Sequence, residues 1–177
     1  MLEQVLAGRE ERYRIQSALL QDADFVCQIS LNIPGYPKSL PGEEHAISCA
    51  FQQMQIKLDA LSLKTIAFEN GAGKAVLFSL RCEKGGDRIK KCAIAVENGF
   101  SWGRLLDIDI RSHHKILSRR DLGQPPRSCF FCGNPAFECS REQRHPMESL
   151  RREAERLLVL ASESLSSLSP LVFTPTQ

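Results

Sequence analysis

The chain has 177 residues, of which 42% are hydrophobic and 25% charged, which predicts an ordinary globular protein with one substantial core and no need of disulfides. Its formal net charge of +2 is too small to indicate a nucleic-acid partner, and no uninterrupted apolar run approaches the length of a membrane span. Seven cysteines accompany an amino terminus that is too charged for a signal peptide. We therefore expect a cytoplasmic protein with reduced cysteines and neither a membrane nor a nucleic-acid partner.

The first half of the chain alternates helix and strand signals without an internal repeat. Apolar residues at helical spacing among charges indicate helices, and the Pro- and Gly-rich stretch from Asn32 to Gly42 indicates an irregular loop. The turn sequence Asn70-Gly71-Ala72-Gly73 indicates a hairpin. In chain order the predicted elements are a helix over 2–20, a strand over 25–33, a loop over 32–42, a helix over 43–61, and hairpin strands over 64–69 and 75–81.

The second half adds further strand signals and closes with a helix. We predict strands over 92–97 and 105–110, a short partner strand over 115–117, a helix over 147–165, and a frayed tail over 166–177. Residues 1–177 are expected to form a single domain of the α+β class. Its mixed, largely antiparallel sheet would be flanked by helices.

Two carboxylates stand two residues apart within the apolar run from Leu105 to Ile110. Side chains at positions i and i+2 of a strand share one face, so Asp107 and Asp109 should project side by side, away from the core. Such a pair makes a seat for a hard divalent cation, and Mg²⁺ usually binds through one or two carboxylates plus substrate phosphates. The alternative is a polar strand face without a metal, although adjacent Asp residues are unfavourable in a strand.

A second group of ligand-type residues lies in the carboxyl-terminal third, over 129–145. The pattern Cys129-x2-Cys132-x6-Cys139-x5-His145 supplies four zinc ligands, and one tight turn can deliver the first two thiolates. A closed four-ligand site would be structural rather than catalytic. The alternatives are thiols without a metal, or a redox pair of Cys129 and Cys132, although no thioredoxin-like strand and helix precede them.

Basic residues flank both groups of candidate ligands. Guanidinium groups match phosphate oxygens, so several of them converging on one cleft would bind a polyphosphate. Most charge runs are solvated faces, but Arg104 follows Gly103 directly and precedes Asp107 by three residues, which makes it the strongest candidate. The weaker candidates here are Arg119, Arg120 and Arg127.

The order and spacing of several motifs identify a family. Between residues 97 and 145 these motifs are Glu97 followed by Gly103-Arg104-Leu105-x-Asp107-Ile108-Asp109-Ile110, then Ile116-Leu117-Ser118-Arg119-Arg120-Asp121-Leu122, Pro125-Pro126-Arg127-x-Cys129-x2-Cys132 and Cys139-x-Arg141-x3-His145. Two earlier motifs are Gly8-Arg9-Glu10-x-Arg12-x3-Gln16 and Asn32-x-Pro34-Gly35-x2-Lys38. Over residues 3 to 160 the chain resembles the CitX family of apo-citrate lyase phosphoribosyl-dephospho-CoA transferases.

The resemblance implies an enzyme that attaches the citrate lyase prosthetic group. The donor would be 2'-(5''-triphosphoribosyl)-3'-dephospho-CoA, the acceptor a serine of the citrate lyase acyl carrier protein, and the leaving group pyrophosphate. The site on a strand is also similar to that of polymerase-beta type nucleotidyltransferases.

The resemblance also implies roles for individual residues. Mg²⁺ on Asp107 and Asp109 would bridge the reacting phosphate and the leaving group, with Arg104 nearest to them. Glu97, expected on a neighbouring strand, would be a third ligand or the base that accepts the serine proton, and we favour the ligand. The residues expected to bind substrate are Arg9, Lys38, Gly103, Arg119, Arg120 and Arg127.

Two other functions stay open on the sequence alone. One is a zinc-stabilised, non-catalytic protein-interaction module, and the other is the equivalent transferase for another acyl carrier protein, such as that of malonate decarboxylase. A non-catalytic module should tolerate Asp107→Asn, whereas a metal-dependent transferase should not, because an amide cannot anchor the cation as a carboxylate does.

Overall fold

A computed structural model describes residues 1–58, 62–82, 85–163 and 171–175. The α-helices of these residues are α1 (Leu2–Leu19), α2 (Glu43–Leu58), α3 (Gly86–Gly99), α4 (Ala136–Arg141) and α5 (Met147–Glu163). The strands are β1 (Phe25–Leu31), β2 (Thr65–Asn70), β3 (Gly73–Leu80), β4 (Leu106–Ser112), β5 (Ile116–Leu117) and β6 (Thr174–Pro175). Short 3-10 turns cover Leu20–Asp22, Gly103–Leu105 and Arg120–Leu122. Over these described stretches, no helix has both the length and the apolar character that crossing a bilayer requires.

The strands form one sheet in the order β5-β4-β1-β3-β2-β6. Neighbouring strands are antiparallel except β2 and β6, which run parallel. The central strand β1 pairs along its length with β3 on one side and β4 on the other. The predicted α+β class, with a mixed and largely antiparallel sheet flanked by helices, is confirmed.

The two faces of the sheet are covered unequally. Alternate residues of β1, such as Cys27 and Ile29, join the larger core beneath α2, α3 and α5. Residues that point the other way, such as Val26, meet a smaller apolar cluster that includes Leu19 at the end of α1. One helix cannot cover a whole sheet face, so the part of this face over β1 and β4 is left to polar side chains.

The predicted hairpin and the loop before α2 are confirmed. β2 and β3 pair from Thr65 opposite Phe78 to Asn70 opposite Gly73. The side-chain oxygen of Asn70 accepts the Ala72 N–H at 3.0 Å and so stabilises the turn, while Gly73 adopts a φ of +95° that suits glycine. Residues 32–42 connect β1 to α2 without helix or strand, as expected.

The strand predicted over 92–97 is wrong, because these residues belong to α3. The short window Cys92-Ala93-Ile94-Ala95-Val96-Glu97 resembles a buried strand in its β-branched and small residues. The longer pattern is helical, since the buried positions of α3 recur at 89, 90, 93, 94, 96 and 97. The packing of this one helical face against β4 and α2 decides the conformation.

The predicted ends of two helices and the carboxyl-terminal tail are described only in part. The expected helical residues 59–61 and 164–165 lie outside the described residues, as do 166–170 and 176–177 of the tail. Residues 171–175 are not frayed but return to the sheet: Leu171 N–H donates to Ser48 Oγ at 3.0 Å, and Thr174 pairs with Phe68. Leu171 and Phe173 pack against the larger core, and the burial of their apolar surface stabilises this segment.

Candidate active site

Asp107 and Asp109 lie side by side on β4, on the sheet face that α1 covers incompletely. In the register with β1, Asp107 is opposite Ser30 and Asp109 is opposite Gln28. The apolar residues that alternate with the two aspartates point into the larger core, and they are Leu106, Ile108 and Ile110. The alternation predicted from the sequence therefore places both carboxylates on the same face of the strand.

A cleft of about 340 Å³ opens over this carboxylate pair. Residues of α1, β1 and β4 and of the loop after β1 line it. Arg9 from α1 and Lys38 from the loop reach the same cleft as Asp107 and Asp109. The structure thus brings together carboxylates and two basic candidates that are about 70 to 100 residues apart in the sequence.

Arg12 also lines this cleft, although the sequence motif that contains it did not mark it as a site residue. Its Nη2 donates to the carbonyl oxygens of Ala72 at 2.9 Å and Gly73 at 2.8 Å, which ties α1 to the β2–β3 turn. Burial lowers the pKa of Arg12 to about 10, although the charge of Asp107 acts in the opposite direction. Helical spacing is the signal that could have found it, since the cleft is lined from α1 by Val5, Arg9, Arg12, Tyr13 and Gln16.

Burial disfavours the charged forms of one acidic and one basic side chain of this cleft. Burial, and after it the charge of Asp107, raises the pKa of Asp109 to about 6. Burial, and after it the charge of Arg9, lowers the pKa of Lys38, whose Nζ donates to the Ile33 carbonyl at 2.7 Å. A cation near the carboxylates and an anion near the basic wall would both be stabilised.

A second hollow of about 380 Å³ lies at the outer edge of β4 and shares both aspartates. Arg127 makes a direct link to the pair: its Nη1 donates to Asp107 Oδ1 at 2.8 Å, and its Nη2 donates to the Leu106 carbonyl at 2.7 Å. The carboxylates are therefore approached by cations from both sides. The cations that line this hollow are Lys90, Arg119, Arg120 and Arg127.

Glu97 lies on α3 rather than on a strand beside β4, and only 2% of it is exposed. Its Oε1 accepts the Ile108 N–H at 3.1 Å, and its two oxygens pair with Arg119 and Arg127. Lys90, seven residues earlier on the same helix, donates to the Ile108 carbonyl at 2.9 Å. These contacts favour a positioning role for Glu97 over the metal-ligand or base role predicted from the sequence.

Gly103 and Arg104 are not among the described residues that line either hollow. A Cβ at Gly103 would collide with the carbonyl of Glu97, so this glycine lets the chain turn tightly from α3 into β4. The guanidinium of Arg104 donates to the carbonyl of Ser128. Arg104, the strongest basic candidate in the sequence, is thus directed to the cysteine segment rather than to the aspartates.

The four residues predicted as zinc ligands do come together. The ligand atoms of Cys129, Cys132, Cys139 and His145 all lie within 4.8 Å of one another. A hydrogen bond from the Asn134 backbone lowers the pKa of Cys132 to about 6, whereas burial raises the pKa of Cys139 to about 11. The cluster has the chemistry to hold a metal ion.

Comparison with known proteins gives one consistent family. The family model described as CitX, apo-citrate lyase phosphoribosyl-dephospho-CoA transferase, matches residues 1–160. A probable apo-citrate lyase phosphoribosyl-dephospho-CoA transferase of Streptococcus pyogenes is 29% identical over 169 residues, which cover 89% of this chain and 84% of the relative. The Leuconostoc mesenteroides protein CitXG is also 29% identical and matches 89% of this chain, but this match spans only 34% of the relative. An Escherichia coli apo-citrate lyase phosphoribosyl-dephospho-CoA transferase is 41% identical over 71 residues, 40% of this chain and 39% of the relative.

Proposed function

Because this chain belongs to the CitX family, we propose that it is an apo-citrate lyase phosphoribosyl-dephospho-CoA transferase. Its donor would be 2'-(5''-triphosphoribosyl)-3'-dephospho-CoA, and its acceptor a serine of the citrate lyase acyl carrier protein. The observation that carries the proposal is the pair Asp107 and Asp109 in a cleft walled by cations, inside the range that the family model matches.

The distribution of charge suits a donor with a polyphosphate. Arg9, Arg12 and Lys38 line the cleft on one side of the carboxylate pair, and Arg127 reaches it from the other. Guanidinium and ammonium groups on two sides would bind the charged oxygens of a triphosphate. At about 340 Å³ the cleft is small for a ligand site, so it would take the triphosphoribosyl end of the donor and leave the dephospho-CoA arm outside.

Mg²⁺ fits the donor set of Asp107 and Asp109. Hard oxygen ligands are those that Mg²⁺ prefers, and the pKa of Asp109 is raised by burial and then by the charge of Asp107, a charge that a cation would offset. A Mg²⁺ ion bound there would neutralise negative charge on the reacting phosphate and the pyrophosphate. This part of the proposal rests on the carboxylate geometry.

The basic side chains would act on the leaving group and on orientation. In the proposed step the serine hydroxyl oxygen attacks the phosphorus next to the ribose, pyrophosphate departs from the opposite side, and the hydroxyl proton passes to solvent. Arg119, Arg120 and Arg127, at the outer edge of β4, would stabilise the charge that develops on the pyrophosphate. Glu97 would keep Arg119 and Arg127 in position through its two ion pairs.

Transfer to purified apo acyl carrier protein with Mg²⁺ tests the proposal. We expect a mass increase on the carrier and release of pyrophosphate, and a loss of on the order of 10²-fold or more in Asp107→Asn. Asp87→Asn, the same chemical change at an exposed position of α3, is the matched control and should remain active.

The same assay separates the alternative functions. Modification of the malonate decarboxylase carrier but not of the citrate lyase carrier would reassign the acceptor. Tight binding of the carrier without any modification would contradict the transferase and favour a non-catalytic interaction module.

A further inference from the structure

We propose that Cys129, Cys132, Cys139 and His145 bind one Zn²⁺ ion, and that this ion fixes the segment that places Arg127 beside the carboxylate pair. The four ligand atoms lie within 4.8 Å of one another, and the sulfur atoms of Cys132 and Cys139 are 3.5 Å apart. Zn–S bonds of about 2.3 Å in a tetrahedron put neighbouring sulfurs about 3.8 Å apart. Only small shifts are therefore needed to enclose an ion.

Backbone hydrogen bonds build the turn that carries the thiols. Cys129 N–H donates to the Asn134 carbonyl at 2.6 Å, and Gly133 N–H returns to the Cys129 carbonyl at 2.9 Å. Gly133 adopts a φ of +78°, a conformation that residues with a Cβ rarely take. Cys139 follows on α4, and Arg144 N–H donates to its carbonyl at 3.1 Å, which turns the chain back towards the thiols.

His145 supplies an independent sign of a missing ligand. Its Nε2 atom is buried and has no hydrogen-bond partner in the part of the chain that the structure describes. A buried polar atom without a partner is destabilising, and native proteins rarely contain one. The His145 ring is held in place by Phe131, whose ring centroid is 4.8 Å away. A metal–nitrogen bond would give this buried nitrogen a partner.

The surroundings of the cluster suit three thiolates. Three thiolates and one Zn²⁺ carry a net charge of −1. Arg144, whose main partner is Glu142 at 2.6 Å, also interacts favourably with the charge of Cys139, and Arg104 makes a smaller favourable interaction with that of Cys129. Arg104 also donates to the carbonyl of Ser128, the residue next to the first ligand. Both arginines would therefore offset the negative charge of a zinc–thiolate site.

The segment that the ion would close begins at Arg127. Ala136 N–H donates to the Arg127 carbonyl at 2.8 Å, and Ser128 forms a β-bridge with Pro135. The Arg127 side chain in turn donates to Asp107 at 2.8 Å. Since the protein supplies four ligands, the site has no open position for a substrate and the ion is structural. Its effect on transfer through Arg127 rests on the function proposed above, whereas the metal site does not.

Metal analysis of the purified 177-residue chain tests the site. We expect about one zinc ion per chain in the wild type, the same content in Cys92→Ser, and loss of the ion in Cys139→Ser. Cys92, a partly buried cysteine on α3 outside the cluster, is the matched control. A wild type that holds no zinc even after refolding with Zn²⁺, or equal zinc in the two variants, would overturn the proposal.

Replacing Zn²⁺ by Co²⁺ in the wild type tests the site even if Cys139→Ser does not fold. Co²⁺ in the wild type should give the visible bands of a tetrahedral site and the near-ultraviolet charge-transfer bands of thiolate ligands. His145→Cys should keep the ion and strengthen the charge-transfer bands by about one third, because a fourth thiolate replaces the imidazole. An octahedral spectrum, or a disulfide between Cys132 and Cys139 in the freshly purified protein, would contradict the assignment.

The combined effect of zinc removal and Arg127→Ala on transfer tests whether the zinc ion acts through Arg127. Zinc removal and Arg127→Ala should each lower transfer, and zinc removal from Arg127→Ala should lower it little further, because both act through one side chain. Independent, multiplying losses would overturn the link. A zinc-loaded wild type that transfers nothing would count against the proposed function and leave the metal site intact.

Discussion

The carboxylate of Asp109 is held where its charge is unfavourable. Burial, and after it Asp107, raises its pKa from 3.8 to about 6, with Glu97 adding to the effect. Lys90 and Arg127 act in the opposite direction but do not compensate fully. Carboxylates perturbed in this way cluster at functional sites, where an incoming cation or substrate relieves the repulsion.

The pH dependence of stability should report this perturbation. Between about pH 3.8 and 6 the folded state binds more protons at Asp109 than the unfolded state, so this group lowers stability as the pH rises through that window. Asp109→Asn removes the titration. Relative to the wild type, the variant should gain about 2–3 kcal/mol of unfolding free energy between pH 4 and pH 7.

Urea unfolding at both pH values, without divalent cations, measures this difference. Asp87→Asn on α3 is the control. Parallel pH profiles for the wild type and Asp109→Asn would show that the protein does not perturb this carboxyl group.

Helix α3 acts as a lateral partner for β4. On the side of β4 away from β1, β5 pairs only with Ile110 and Arg111, so within the described ranges the N–H and carbonyl of Ile108 meet side chains there rather than a strand. Lys90 and Glu97 lie seven residues apart on one helix face and engage its carbonyl and its N–H. A helix that caps a strand edge in this way also keeps the edge from pairing with another chain.

Glu97→Gln should therefore reduce stability rather than cation binding. The amide can still accept the Ile108 N–H, but Arg119 and Arg127 lose their shared counter-charge. We expect a loss of roughly 2–4 kcal/mol, discounted for the partial exposure of both arginines, with Mg²⁺ affinity largely retained.

Urea unfolding and calorimetric Mg²⁺ titration measure the two effects of Glu97→Gln. Glu155→Gln, at an exposed position of α5, is the control. Unchanged stability together with lost Mg²⁺ binding would restore the metal-ligand role that the sequence suggested.

On the scale of the whole molecule, the cleft depends on how α1 docks against the β2–β3 turn. Asn70 Nδ2 donates to the Gly8 carbonyl at 3.0 Å, and the buried Arg12 donates to two carbonyls of the turn. A Cβ on Gly8 would lie 2.6 Å from the Ala72 nitrogen, a backbone atom that cannot move independently. Close approach at Gly8 thus sets how near Arg9 and Arg12 come to the aspartates.

Gly8→Ala should lower stability even though alanine favours helices. The helical preference gains about 1 kcal/mol, whereas forcing α1 away from the turn costs about 1–3 kcal/mol and should also weaken transfer. Thermal unfolding and the transfer assay measure both effects. Gly99→Ala, on α3 with open space around its Cβ, is the control and should not destabilise. A stabilised Gly8→Ala with normal transfer would show that this contact does not position α1.

Local sequence patterns predicted much of the fold but failed where a short window fits both the helical and the strand period of apolar residues. The hairpin and the Asp-bearing strand were predictable because turn residues and alternation are contained in a few neighbouring positions. The window from Cys92 to Glu97 fits both a strand and a helix, because its six residues are rich in small and β-branched side chains. The packing of α3 against β4 resolved that ambiguity.

By itself the sequence determined the family, the shared face of Asp107 and Asp109, and the convergence of the Cys/His group, since each follows from local spacing or from motif order. Only the tertiary structure decided which cations reach the carboxylates. Arg12 is held at the cleft by hydrogen bonds to a turn about 60 residues away in the sequence. Arg104 is close in sequence to the two aspartates, but its side chain hydrogen-bonds the Ser128 carbonyl instead. Distances across a sheet depend on strand order and helix docking, and neither is encoded in the spacing of neighbouring residues.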